Sequence, residues 1–204
     1  GLNLLHVHYA IPHATSAWIA KEMLATQGRK LPVVTTLHGT DITIVGQDHS
    51  YQAITRFSIE RSDRVTSVSQ WLKDETIKAF GCGNLRVDVI PNFVDPGEFD
   101  RARHGDALRQ ELGHGNPVLM HISNFRPVKR VRDVVRIFAK LRAQRPCTLV
   151  MVGDGPDRGA AEDEARTLGV AGDVRFLGRI DDVAPLLAAA DLYLFPSQTE
   201  SFGL

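Results

Sequence analysis

The sequence predicts an α/β protein built from two Rossmann-like domains with doubly wound parallel sheets. Three observations carry this. Eight short apolar runs recur along 204 residues, rich in Val, Ile and Leu. Longer amphipathic stretches separate them. A turn-rich break near the middle interrupts the alternation.

The apolar runs lie at 4–9, 32–37, 64–68, 86–90, 117–122, 148–152, 174–177 and 192–195. They show little polar alternation, which marks strands covered on both faces, as in parallel sheets. Helical patterns lie near 15–27, 49–62, 70–80, 130–144, 157–168 and 182–190. The clearest puts Val131, Val134, Val135, Phe138 and Leu141 on one face, with Arg130, Arg132, Arg136 and Lys140 mostly elsewhere. Strands alternating with helices argue for βα units. The break begins at Pro91-Asn92-Phe93-Val94-Asp95-Pro96-Gly97 and includes a short helix near 106–112. It predicts a first domain over 1–95 and a second over 96–204.

Both ends look cut. The first strand pattern starts without a preceding cap, and Glu200 to Leu204 reads as a helix start that does not continue. The expectation is an internal piece of a longer protein with both domains truncated.

Composition narrows the function. With 24 basic and 24 acidic residues there is no net charge to favour nucleic acid. No apolar run approaches the roughly 20 residues of a membrane span, so no stable membrane insertion is expected. Cys82 and Cys147 are far apart and outside metal-ligand spacing, which suits a reduced, cytoplasmic protein. Subunit number is not written in the sequence, and a homo-oligomer is left open.

Four segments carry chemistry. In His121-Ile122-Ser123-Asn124-Phe125-Arg126-Pro127-Val128-Lys129-Arg130 a strand empties into a cationic loop before a helix. Open α/β sheets bind ligands at the carboxyl ends of strands, and helix starts favour anions. Arg126 and Lys129 there suit a diphosphate, one as a planar fork and one as a compact charge. A solvated basic loop fits the same residue types. In Val152-Gly153-Asp154-Gly155-Pro156 the glycines permit a tight turn and close ligand approach, with Pro156 suited to the first helical position. The segment is neither G-x-G-x-x-G nor a P-loop, which weakens dehydrogenase and kinase readings. In Phe195-Pro196-Ser197-Gln198-Thr199-Glu200-Ser201-Phe202-Gly203-Leu204, Glu200 can accept from sugar hydroxyls or serve only as a helix-start carboxylate. In Thr36-Leu37-His38-Gly39-Thr40-Asp41, His38 can donate to a substrate oxygen, or be a loop histidine held by hydrogen bonds. His6-Val7-His8 lacks a third ligand of metal spacing and no Asp-x-Asp pair occurs, so neither a metal nor another cofactor is expected.

The ordered set resembles the retaining GT-B glycosyltransferases of family 4 over nearly the whole chain. Its members are His-Gly-Thr-Asp, Ser-Asn-Phe-Arg-Pro-Val-Lys, Gly-Asp-Gly-Pro, Phe-Leu-Gly and Pro-Ser-x-x-Glu-Ser-Phe-Gly-Leu. His8-Tyr9-Ala10-Ile11-Pro12-His13-Ala14 and Arg56-Phe57-Ser58-Ile59-Glu60 are similar to the members that join N-acetylglucosamine to L-malate in bacillithiol biosynthesis. The resemblance implies two domains facing across a cleft, UDP-N-acetylglucosamine (UDP-GlcNAc) mainly on the second and L-malate on the first. No metal is implied. Lys129 matches the family lysine on the diphosphate, with Arg126 its guanidinium partner and Arg130 the reserve. Many relatives carry an arginine where this chain has Asn124. Glu200 matches the first Glu of E-x7-E, Leu177-Gly178 the segment that meets the uracil, and His38 the histidine near the sugar and leaving phosphate. The implied catalytic set is thus His38, Arg126, Lys129 and Glu200. The donor set is Asn124, Arg126, Lys129, Gly153, Leu177, Gly178 and Glu200. For a dicarboxylate acceptor, Tyr9, Thr40 and Arg56 supply hydroxyls and a guanidinium. An ion pair of Arg56 with Glu60, four residues on, is the plain alternative.

Overall fold

The computed structural model describes residues 1–43, 48–104 and 106–203. Leu204, the last residue of the C-terminal run, lies outside them. The chain divides into two compact units, Gly1–Phe93 with Glu200–Leu204, and Val94–Thr199.

In the first unit β1 (Leu5–His8), β2 (Val33–Leu37), β3 (Arg64–Ser67) and β4 (Val87–Val89) pair in parallel, in that spatial order. The crossovers carry α1 (Thr15–Ala25), α2 (Thr40–Thr43), α3 (His49–Glu60) and α4 (Gln70–Phe80). Local sequence bounds two of them. Asp48 caps α3 by accepting from Ser50 N–H at 2.9 Å, and Ser69 caps α4 by accepting from Leu72 N–H at 3.1 Å. Gly81 then ends α4 in the left-handed conformation, φ 62°. Leu37, Ile42, Ile59, Val65, Leu72, Phe80 and Val87 form the core beneath.

The second unit holds β5 (Val118–Ile122), β6 (Thr148–Val152), β7 (Val174–Gly178) and β8 (Leu192–Tyr193), with α5 (Ala107–Gly113), α6 (Val131–Arg142), α7 (Arg158–Thr167) and α8 (Ala184–Ala189). The sheet is parallel, in the order β7-β6-β5-β8. Successive strand residues feed two cores. Leu119, Leu149 and Met151 pack with Val131, Val134, Val135 and Phe138 of α6 and with Ala161 and Ala165 of α7. Val118, Met120, Val150 and Val152 pack with Leu112 of α5 and with Leu186 and Ala189 of α8. This is why β5 and β6 lack polar alternation: both their faces are dry. The apolar stripe of α6 is the one its spacing predicts, with Leu141 partly buried at its end.

Some local expectations differ. The four-residue α2 carries no periodicity to read. Pro156 precedes the helix, which starts at Arg158 after a turn. The helix start expected at 200 is absent at 200–203, where the chain bends. There the Ser69 hydroxyl donates to the Ser201 carbonyl at 2.5 Å, and that segment groups with the first unit rather than with the rest of 96–204.

Candidate active site

In the second unit the chain order reverses between β5 and β8. Such a switch point, at the strand carboxyl ends, is the general position of the ligand crevice in open α/β sheets. The segment after β5 is the cationic loop. Phe125 is fully buried with φ 40°, Pro127–Lys129 makes a single 3₁₀ turn, and Arg130 (φ 53°) leads into α6. The segment after β8 lies against it. Gln198 N–H donates to the Val128 carbonyl at 2.8 Å, and Lys129 Nζ stands 5.3 Å from the centre of the Phe195 ring.

The arginines separate clearly. Arg130 Nε donates to Asp133 at 2.7 Å, and Asp133 also pairs with Arg136, so Arg130 belongs to a surface ion network. Arg126 is exposed, and its guanidinium has no hydrogen bond or ion pair among the described residues. Asn124 is exposed beside it. Among the described residues Arg130 is committed to Asp133 and Arg126 is not committed.

Gly153 and Gly178 lie together at the ends of β6 and β7, with Gly153 N–H donating to the Gly178 carbonyl at 2.7 Å. The β6–β7 register jumps from Met151 opposite Phe176 to Val152 opposite Gly178, which leaves Leu177 as the extra residue of a bulge. Bulges interrupt the ladder and re-aim the chain locally. The glycines also let a neighbouring loop approach closely. A Cβ on Gly153 would stand 1.8 Å from the Ser123 carbonyl oxygen, and one on Gly155 would stand 2.0 Å from that of Asn124. The space their missing side chains leave is filled by the neighbouring cationic loop. Glu200 is half-buried and lies one residue beyond Thr199, at the start of the segment that groups with the first unit.

Sequence reasoning missed His121. It sits inside β5 with no exposed surface and bridges Leu194 and Ser123 through its two ring nitrogens. Inside an apolar run it reads as one more core residue.

In the first unit, histidines gather at the carboxyl ends of β1 and β2. His8 Nδ1 and His38 Nε2 share a hydrogen bond of 2.7 Å, and His6 Nε2 bonds the Thr36 hydroxyl at 2.8 Å. The Tyr9 ring lies 5.1 Å from that of His38. Asp41 is buried and organises the turn, accepting from Ala10 N–H at 2.7 Å and from Gly39 N–H at 3.0 Å. Burial, and then the neighbouring His8, hold the His38 imidazole below its ordinary pKa of 6.5, against the opposing pull of Asp41. His38 is therefore neutral at pH 7 and able to donate through one nitrogen while accepting at the other. Thr40 is exposed at the start of α2, next to this group in sequence.

Arg56 does not join them. Its Nε donates to Glu60 at 2.8 Å, and it lines a surface pocket with Glu60, Gly81, Cys82, Gly83, Asn84 and Leu85. Residues 81–85 lead from α4 into the amino end of β4, opposite the strand ends that carry His38. The chain direction of α3, from the end of β2 back to the start of β3, sets this. The ion-pair reading of Arg56 is the one the fold supports.

A family profile described as Glycosyltransferase Family 4 matches residues 1–98, and one described as Glycosyl transferases group 1 matches residues 116–204. The N-acetyl-alpha-D-glucosaminyl L-malate synthase of Bacillus anthracis is 45% identical over 205 aligned residues, covering 100% of this chain and 52% of that protein. A glycogen synthase of Mycobacterium tuberculosis is 28% identical over 95% of this chain and 48% of its own length. The crystal structure of Anabaena HepE in complex with UDP and glucose superposes with TM-score 0.75 at 26% identity, covering 98% of this chain and 55% of that one. The chain thus spans about half the length of the curated relatives it matches. Two profiles in sequence order, a relative nearly half identical along the whole chain, and parallel α/β units with solved counterparts agree: the chain belongs to glycosyltransferase family 4 and has the GT-B fold.

Proposed function

We propose that the protein containing this chain is a retaining glycosyltransferase that moves N-acetylglucosamine from UDP-GlcNAc to the hydroxyl of L-malate. The observation that carries this reading is the 45% identity, along all of the chain, to the synthase named for that product. The crevice between β5 and β8 supports the donor half. A nucleotide diphosphate needs cations at a strand carboxyl end, and Arg126 and Lys129 stand there.

In the proposed reaction the bond between the anomeric carbon and the diphosphate oxygen breaks, and the malate hydroxyl oxygen bonds the same carbon from the side the diphosphate leaves. The hydroxyl proton passes to the departing phosphate, so no protein base is required. Negative charge grows on the diphosphate as that bond stretches. Arg126 and Lys129, carried by the loop after β5, stabilise that charge electrostatically. Neutral His38 serves as a hydrogen-bond donor to the sugar or leaving phosphate. Tyr9 and Thr40 remain the acceptor candidates of the first unit. No metal is called for, because the two side-chain cations meet the diphosphate charge.

The test is mass detection of a hexosamine–malate conjugate and UDP when the full-length protein is given UDP-GlcNAc and L-malate. Transfer to a glucan or another hydroxyl acceptor, with none to malate, would replace the acceptor assignment and keep the donor half. The glycogen synthase relative makes a glucan the first alternative to try.

A further inference from the structure

The reversal between β5 and β8 brings the loop after each strand against the other, with Gln198 bonded to Val128 and Leu194 to Met120. His121 lies at the shared root of the two loops. It is the fourth residue of β5, has no exposed surface, and stacks between Phe125 (ring centres 6.1 Å apart, 27°) and Tyr193 of β8 (6.4 Å, 18°).

The hydrogen bonds run in one direction. Nδ1 lies 2.8 Å from the Leu194 carbonyl, which can only accept, so Nδ1 carries the proton. In the neutral ring Nε2 is then an acceptor, and the Ser123 hydroxyl donates to it at 2.8 Å. Ser123 Oγ in turn accepts from Phe125 N–H at 3.3 Å. Phe125 needs this support, because φ 40° is uncommon for a residue with a large side chain. One imidazole therefore ties the root of the post-β8 segment to the bend that aims Arg126 and Lys129.

We propose that His121 is the positioning residue of the diphosphate crevice: through Leu194 and Ser123 it fixes the two loops relative to each other and holds Phe125 in the bend that presents Arg126 and Lys129. This rests on reading the crevice as a nucleotide-diphosphate site. The neutral ring does this work. A second ring proton would turn Nε2 into a donor and leave the Ser123 hydroxyl proton without its acceptor. Burial, and after it the charge of Lys129, keep that proton off, against the opposing pull of the Leu194 carbonyl. Among the described residues, Lys129 and Tyr193 are the titratable side chains that these contacts bring to the ring.

The experiment is UDP titration calorimetry on the full-length protein and on His121→Asn, Ser123→Ala and the double variant, with thermal unfolding recorded for each. UDP is the probe, so acceptor identity does not enter. Each single variant should weaken UDP about tenfold while retaining a cooperative transition. The double variant should be no weaker than the worse single one, because both act through one chain of bonds. Wild-type UDP affinity in a folded Ser123→Ala protein would overturn the proposal, as would losses that add in the double variant. Failure of the wild type itself to bind UDP would overturn the crevice reading instead. If His121→Asn does not fold, Ser123→Ala alone decides, since it removes one hydroxyl and leaves the buried ring in place.

Discussion

The packing of Gly153 gives a prediction whose size follows from the coordinates. In Gly153→Ala the new methyl group would stand 1.8 Å from the Ser123 carbonyl oxygen, which is backbone and cannot swing aside. Reaching even the 3.0 Å that real contacts respect requires a relative shift of about 1.2 Å between the ends of β5 and β6. Overpacking of that kind costs about 1–3 kcal/mol. Alanine must also adopt φ 117°, a region that adds about 1–3 kcal/mol for any residue with a side chain. The expected loss is about 4 kcal/mol, a large part of the roughly 5–15 kcal/mol that holds a domain folded. Tryptophan fluorescence will not see it, because Trp18 and Trp71 both lie in the first unit. Amide hydrogen exchange on peptides covering 118–122 and 148–152 will. Those amides should exchange about a thousandfold faster, at about 1.4 kcal/mol per decade, while the fluorescence transition of the first unit stays put. Gly159→Ala is the internal control. Gly159 lies in α7 with nothing within 4 Å of its Cβ position, so alanine should stabilise the helix by about 0.5–1 kcal/mol. Less than a tenfold rise in exchange for Gly153→Ala would refute the close approach of the two loops.

Three further outcomes are expected. Lys129→Ala in the full-length enzyme should lower turnover by about two to three orders of magnitude with the fold retained, the usual loss on removing one preorganised charge stabiliser; near-normal turnover would remove Lys129 from the mechanism. For His38 the folded pKa lies below 6.5, so as pH falls below 6.5 an unfolded chain gains a proton that the folded one does not, and stability declines. A pH–rate profile should lose activity on the acid side through the lowered pKa, and His8→Asn, which removes one lowering influence, should move that limb to higher pH. Arg56→Ala should leave the malate KM within about twofold of wild type, since its guanidinium is committed to Glu60; a tenfold rise in steady-state KM would restore it to the acceptor set.

β5 and β6 were legible because each is an apolar run covered on both faces, and α6 because its stripe is unbroken. What escaped depends on which strands are neighbours. Gly153 and Gly155 read as turn glycines, and only β6 lying beside β5 shows the two carbonyls that stand where their side chains would be. Arg56 carries the right group for a dicarboxylate, but spacing along a helix does not say which end of the sheet it faces. His121 has no local signal, since its partners are Ser123 and Leu194, the latter 73 residues away. Arg126 was named from its residue type, and only the pairing of Arg130 with Asp133 sets it apart from its neighbour.

The same dependence on strand order explains how weak motifs make a site. A cationic loop after one strand and a Pro-Ser-x-x-Glu loop after another are each compatible with ordinary surface. They become partners because β8 returns to the side of β5 opposite β6. That return sets the Lys129 ammonium against the Phe195 ring and bonds Gln198 to Val128, contacts between residues 66 and 70 positions apart in the chain. An aromatic face beside a lysine excludes water on that side. Had β8 joined the far edge beyond β7, it would stand three strand spacings from β5, about 14 Å at roughly 4.8 Å each. Neither loop could then complete the other. The proposed diphosphate site therefore depends on the reversal, and so does the role proposed for His121, whose two partners lie in the loops that the reversal brings together.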